Sequence, residues 1–342
     1  MRESEVMKNK PTTIKDVAKI AGVSIATVSR YLNGHYGKMS ATTRQTIERV
    51  IRENNYHVNT QAKSLIQKRT FIIGMVVADI ENIFSSILFK GADTILENEN
   101  YQILLTNSDN SLERERTEIE RLLGLQVDGI ILQPMSQSAA DYQFLKDSNT
   151  PTIIVDRKIQ PQVWTEVTTD NYAYSKMISE YISRLGYQRL AVVSEAIDGN
   201  SARYERYQAV KETCQKKSLD LKLITVDKQT TNAQIYAEIM RASDDLDVKT
   251  AFYVLKGTLL MQVVRTLSQY HITYPDQVGL AAFDDWDWST LVQPQITTIQ
   301  QNPQELGKRA AKALLALLAD TSLPSDSLTV PSDFQVKQSL VN

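Results

Sequence analysis

Residues 13–33 read TIKDVAKIAGVSIATVSRYLN, and this stretch decides what kind of molecule the chain builds. Ile14, Val17, Ala18 and Ala21 recur at helical spacing and give a first helix one apolar face. Gly22 follows, where a residue without Cβ turns the chain most cheaply. Ser24 stands where an N-cap hydroxyl would accept from a free backbone N–H of a second helix. On that helix Val28 and Leu32 face inward, and Ala18 and Ala21 are small enough to let the two backbones approach. Ile25, Ala26, Thr27, Ser29 and Arg30 are left outward. One long cation, two hydroxyls and two small or aliphatic groups suit a DNA surface. Hydroxyls hold phosphates, aliphatic groups meet thymine methyls, and Arg grips guanine bidentately. A plain helical hairpin with a solvated face is the alternative these residues leave open.

Charge sharpens the choice. The net charge is −2, yet residues 1–70 hold 13 Lys+Arg against 5 Asp+Glu, and the rest 25 against 35. A basic amino-terminal piece on an acidic body is the electrostatic footprint of a nucleic-acid module on an effector domain. Beyond the two helices, Ser40 can cap a third over 40–54, with Ile47, Val50 and Ile51 on one face. Residues 56–69, YHVNTQAKSLIQKR, are polar and basic around an isolated Leu65, which makes them the candidate linker.

After residue 70 the pattern changes. Apolar strand candidates at 72–77, 102–106, 129–133, 152–155, 189–193, 222–226, 251–254 and 278–283 alternate with amphipathic helices at 113–125, 174–185, 204–217 and 259–270. Such alternation means parallel sheets covered on both faces, and this many units predict two of them. Ligands of this architecture bind at the carboxyl ends of strands, here in a cleft between two lobes. One cysteine, Cys214, excludes a disulfide framework. His35, His57 and His271 lack metal-ligand spacing, and there is no P-loop or GxGxxG. No cofactor or metal is expected. The opening MRESEVMKNK lacks the apolar core of a signal peptide, and no apolar run approaches a membrane span, so a cytoplasmic location is expected.

These segments resemble the lactose-repressor (LacI) family of bacterial transcription regulators over essentially the whole chain. The specific match is TIKDVAKIAGVSIATVSRYLNG, then TTR at 42–44 and NYHVNTQAKSL at 55–65. Looser matches follow in order: IIGMVVADIENIFSS, VDGIILQP, TIIVDR, RYERYQAV and AAFDDWDWSTLVQPQITTIQQNPQELG. The resemblance implies an all-α helix-turn-helix headpiece at 11–57 and a hinge helix and linker at 58–70. It implies a periplasmic-binding-protein-like α/β core at 71–342, with one lobe at about 71–168 and 300–326 and the other at about 169–299 and 327–342. It also implies a homodimer on a pseudo-palindromic double-stranded operator, controlled by a small molecule between the lobes. The chain ends FQVKQSLVN, a strand and tail rather than a heptad helix, which fits a dimer.

Residue by residue, the resemblance puts Ile25, Ala26 and Arg30 where the family reads base edges. Ser24, Thr27, Ser29, Asn33, Asn59 and Lys63 complete the expected DNA-contacting set. Leu65 falls where the family wedges a leucine into the minor groove, which unstacks a step and bends the duplex. The hinge is expected to fold only when two copies meet on DNA. For the effector the resemblance assigns Asp284, at a strand end, to gripping ligand hydroxyls, and Arg203 to the same ligand. Phe84 forms an apolar wall, Asp156 and Arg157 end a strand at the same rim, and Gln301 lies near a crossing between lobes. Trp286 or Trp288 can stack on a sugar ring or pack at the rim. Two departures stand out. YVLKG supplies Lys256 and Gly257 where many relatives have Asn-Asp, and Lys228 replaces an aromatic. Lys228, Lys256 and Arg203 around one cleft predict a sugar acid, such as a ketogluconate, over a neutral sugar. Lysines pointing to solvent, and Arg203 as a structural ion pair, are the alternatives.

A sugar-binding transport protein would explain only the core. An enzyme, a sugar-acid kinase or dehydrogenase for instance, would leave residues 1–70 unexplained and would need a proton-transfer pair, for which only Asp284 with Asp285 offers itself.

Overall fold

The computed structural model describes residues 12–37, 39–57 and 69–341. It divides at Thr70 into two compact units. In the first unit, α1 (Ile14–Ala21) starts from a capping box in which Thr13 and Asp16 satisfy each other's backbone N–H. It stops at Gly22, whose φ of 65° is left-handed. A Cβ there would meet nothing within 4 Å, so the backbone angle and not space calls for glycine. Ser24 accepts from the Thr27 N–H to open α2 (Ile25–Leu32), and Ser40 does the same with Thr43 for α3 (Ala41–Glu53). Val17, Val28, Ile47 and Val50 close a three-helix core with Ala18 and Tyr56. Arg44 lies over the Tyr36 ring at 4.1 Å, which pins the segment between α2 and α3.

The second unit is two parallel sheets. In chain order its elements are β1 (Ile72–Val77), α4 (Ile83–Leu96), β2 (Gln102–Asn107), α5 (Leu112–Gly124), β3 (Gly129–Leu132), α6 (Gln143–Asp147), β4 (Thr152–Val155), β5 (Thr165–Thr169) and α7 (Asn171–Arg184). Then come β6 (Arg189–Ser194), α8 (Ser201–Lys217), β7 (Asp220–Thr225), α9 (Asn232–Ala242), β8 (Thr250–Val254), α10 (Gly257–Gln269) and β9 (Gly279–Phe283). The last are β10 (Thr297–Gln300), α11 (Pro303–Ala319), β11 (Ser327–Val330) and β12 (Asp333–Gln335). One sheet runs β11-β5-β4-β3-β1-β2 and the other β12-β10-β9-β8-β6-β7. Every pairing is parallel except β10 with β12. Central strands such as IIGMVV and TAFYV are apolar at nearly every position because helices cover both faces.

The chain crosses between lobes after β5, after β10 and after β11. The third crossing corrects the expected boundary. Residues 327–330 belong to the first lobe, since Ser327–Val330 pairs in parallel with Glu166–Thr169, and only then does the chain return to the second. Helices α4 and α11 pack so closely that a Cβ on Gly91 would lie 2.1 Å from the Gln304 carbonyl, and one on Gly307 2.1 Å from that of Leu88. With glycine at both positions the two helices pack backbone to backbone, and their apolar faces join the core over the first lobe's sheet.

Candidate DNA-reading helix and effector cleft

On α2, Ile25, Ala26, Arg30 and Asn33 are exposed, with Thr27 and Ser29 half-buried. Among the described residues, no hydrogen bond or ion pair holds the Arg30 guanidinium. The hydroxyls are more committed than the sequence suggests. Ser24 Oγ accepts from the Thr27 N–H at 3.2 Å and hydrogen-bonds Thr27 Oγ1 at 2.9 Å. Asn33 Nδ2 donates to the Ser29 carbonyl at 2.9 Å, closing the end of the helix. The face therefore offers Ile25, Ala26 and Arg30 to a partner, with Ser24 and Thr27 at the helix start where free N–H groups favour phosphate. Asn59, Lys63 and Leu65 lie outside the described residues.

In the second unit, strand ends build the cleft. Asp156 follows β4 in the first lobe and Asp284 follows β9 in the second. Both adopt left-handed backbone, with φ of 68° and 78°. L-residues enter that region at a cost, and such angles cluster at binding sites. Each aspartate is held by a glutamine. Gln133 Nε2 donates to Asp156 at 2.7 Å while its Oε1 accepts from the Ala78 N–H, and Gln301 Nε2 donates to Asp284. The Gln301 Oε1 is buried with no hydrogen-bond partner, a spare acceptor in the cleft.

Three arginines converge on the same space. Arg206 lies 4.0 Å from Asp284, donates to Asn171 Oδ1 and the Leu255 carbonyl, and stacks over Phe283 at 3.6 Å. Arg157 donates to the Pro134 carbonyl at 2.9 Å, and its Nε, 3.6 Å from Asp156, makes no hydrogen bond. Arg203 donates to the Ala196 carbonyl and to Glu195. Burial, more than offsetting the nearby Glu195, holds the Arg203 pKa below its ordinary value, and the charges of Arg157 and Arg206 push the same way. Burial likewise raises the Asp284 carboxyl, with Arg206 and Gln301 pulling it back.

The inner cavity between these groups is only about 50 Å³ and is also lined by Phe84, Asp79 and Lys256. That is far below the roughly 300–1,000 Å³ of pockets that enclose a small molecule. An outer compartment of about 430 Å³ adjoins it, lined by Lys228, Lys256, Glu195, Asp79 and Glu81. Two ion pairs tie the lobes together. Lys228 reaches Asp109 at 3.1 Å, and Lys158 reaches Glu205 at 2.5 Å.

Phe84, Asp156, Arg157, Arg203, Lys256, Asp284 and Gln301 thus meet around one cavity. Lys228 stands apart at the mouth, more than half exposed. Trp286 does not line the cavity. It packs edge-on against Phe84, ring centres 6.1 Å apart, because the strand end that turns Asp284 inward directs the next aromatic toward the first lobe's core. Asp285 faces away and is consumed by Thr298, Ser289 and Lys337, so it forms no carboxylate pair with Asp284. Arg206, Glu195, Asp79 and Gln133 were not among the expected residues. The last three directly follow or nearly follow β6, β1 and β3, so the strand-end rule applied to every strand would have found them. Among the described residues there is no group of three or more His, Cys, Asp or Glu placed to hold a metal, and no helix is long and apolar enough to cross a membrane.

A capped helix that presents Arg30, joined in one chain to a two-lobed core with a charged cleft, defines a ligand-responsive DNA-binding regulator. Residues 13–59 match the bacterial regulatory proteins of the lacI family, and residues 180–340 match the periplasmic binding protein-like domain. The chain is 33% identical to the HTH-type transcriptional regulator KdgR from Bacillus subtilis strain 168, over 89% of this chain and 90% of that one. It is 31% identical to the HTH-type transcriptional regulator PtxS from Pseudomonas plecoglossicida, over 96% and 95%. Its fold matches a crystal structure of the lac repressor dimer bound to operator and the anti-inducer ONPF, with a TM-score of 0.85 at 20% identity over 97% of this chain and all of that one. The chain belongs to the LacI family of transcriptional regulators.

Proposed function

We propose that this regulator is a homodimeric repressor of a sugar-acid catabolic operon, acting on DNA in the cytoplasm. Its effector is an anionic sugar derivative seated between the lobes. One observation carries the effector class: Arg157, Arg203 and Arg206 line the same enclosed cavity. Asp156, Glu195 and Asp284 offset these buried charges within the chain, and a ligand carboxylate can take over one of those places. Asp284, with Gln301 beside it, remains to accept from sugar hydroxyls, so the site suits a ligand with hydroxyls at one end and a carboxylate at the other.

In this reading the ligand bridges Asp156 and Arg157 of the first lobe to Arg206 and Asp284 of the second. It strengthens one relative angle of the lobes, and the change reaches the two headpieces of the dimer through residues 58–70. On the operator, Arg30 takes a guanine edge, Ile25 and Ala26 touch neighbouring bases, and Leu65 wedges the centre, with Asn59 and Lys63 beside it on the backbone. The reading gives the cleft a binding role, in keeping with the transcriptional regulators the chain is similar to. Isothermal titration calorimetry on the full chain tests the effector class. Gluconate or 2-ketogluconate is expected to bind and glucose not to. Tight glucose binding with no binding of either acid refutes the reading.

A further inference from the structure

Two of the cations expected to meet the ligand are already held by a carboxylate of the chain itself. Glu195 follows β6 in the second lobe. Its Oε2 accepts from Arg203 Nη2 at 2.5 Å and its Oε1 from Lys256 Nζ at 2.8 Å. The three side chains are largely enclosed, at 27%, 17% and 18% exposure for Glu195, Arg203 and Lys256. Burial alone would raise the Glu195 carboxyl, but Arg203 and Lys256 outweigh it and hold it below its ordinary value. The residue also stands at a seam. Arg203 lines the inner cavity and Glu195 the outer compartment, while Lys256, Asp79 and Asn82 line both.

We propose that Glu195 is the specificity-determining residue of the cleft: its carboxylate occupies an anion seat made by Arg203 and Lys256, and the effector's carboxylate binds by displacing it. This rests on the sugar-acid reading. The inner cavity of about 50 Å³ is too small for a sugar unless side chains move. Glu195 has somewhere to go, because the outer compartment beside it holds about 430 Å³. A ligand carboxylate that takes the seat replaces both ion pairs in kind. A neutral sugar that pushed Glu195 aside would leave two enclosed cations unpaired, which is the costly outcome for a buried pair. The cleft therefore rejects neutral sugars through a penalty on the wrong ligand as well as through attraction for the right one. A residue that only positioned Arg203 and Lys256 for the ligand would behave oppositely, since its loss would weaken binding of an acid.

Two measurements on the full chain separate these cases. In the first, thermal unfolding of native protein and Glu195→Ala is followed in sodium formate against sodium chloride at equal ionic strength. An emptied seat takes up formate, so formate raises Tm of the variant and leaves the native protein unmoved. Absence of a formate-specific rise in the variant overturns the seat. In the second, calorimetry compares gluconate, 2-ketogluconate and glucose on native protein and Glu195→Gln. Removal of the internal competitor tightens binding of the acids by about tenfold or more, and glucose gains as well, because no ion pair is left for it to break. Weaker acid binding by the variant makes Glu195 a positioning residue and overturns the proposal. Glucose binding with no acid bound by either form is a different failure, because it removes the sugar-acid reading on which the proposal rests.

Discussion

Replacement of Glu115 by Gln should change how the protein's stability responds to pH. Glu115 lies on α5 and is fully buried. One carboxylate oxygen accepts from the Tyr142 hydroxyl at 2.6 Å and the other from the Met135 N–H at 2.9 Å. Burial lifts its pKa from 4.5 to about 7, and the two hydrogen bonds and the charge of Arg157 only partly pull it back. Between those two values the folded chain binds the proton and the unfolded chain does not. Stability therefore falls as pH rises through that window, and the loss is complete above about 7. At about 1.4 kcal/mol for each pH unit, the native protein loses about 3 kcal/mol that a neutral side chain does not lose. Urea unfolding of native protein and Glu115→Gln at either end of the window reads this directly. Tryptophan fluorescence is a suitable probe because the Trp164 ring sits edge-on to Tyr142, 6.5 Å between centres. The variant should gain about 3 kcal/mol on the native protein between the acid and the alkaline end. An equal difference at both ends, or a gain by the native protein, refutes the reasoning. The same loop carries Pro134, which accepts from Arg157, so the titration also reports on the segment that presents a cleft arginine.

Other predictions follow from single contacts. Gly307→Ala places a methyl 2.1 Å from the Leu88 carbonyl and should cost about 3 kcal/mol or more, read as a lower Tm of the core. Ser24→Ala removes the cap of α2 and should destabilise the headpiece by about 1 kcal/mol, measurable by hydrogen exchange at the Thr27 amide. Arg30→Ala should cost roughly 1–3 kcal/mol of discrimination at one operator base pair. If the loss is instead uniform across operator sequences and only the salt slope changes, Arg30 meets phosphate.

The sequence exposed the headpiece most fully, because its signals are local. Caps at Ser24 and Ser40, a turn glycine and a helical apolar period each act within a few residues. The central strands were equally legible, since burial on both faces leaves runs such as IIGMVV with no polar interruption. Strands β5, β10 and β11 were not. TEVTT, TTIQ and SLTV carry threonine, serine or charge and are set by pairing with distant partners. Helices α4 and α11 were also missed. Gly91 and Gly307 mark where their backbones meet, a long-range contact that no local spacing announces. In the cleft, strand ends pointed to Asp156 and Asp284. The pairing of Arg203 and Lys256 with Glu195 joins two loops and a helix, and Lys256 lies 61 residues from Glu195, so no local spacing encodes it.

Fluorescence anisotropy of a labelled operator duplex against the full chain, with and without small molecules, tests the central claim most directly. A sugar acid such as 2-ketogluconate is expected to shift operator Kd by about tenfold or more, glucose is expected to leave it unchanged, and Arg206→Ala is expected to lose the response while still binding operator. An operator affinity that responds to glucose and ignores the acids, or an undiminished response in Arg206→Ala, would contradict it.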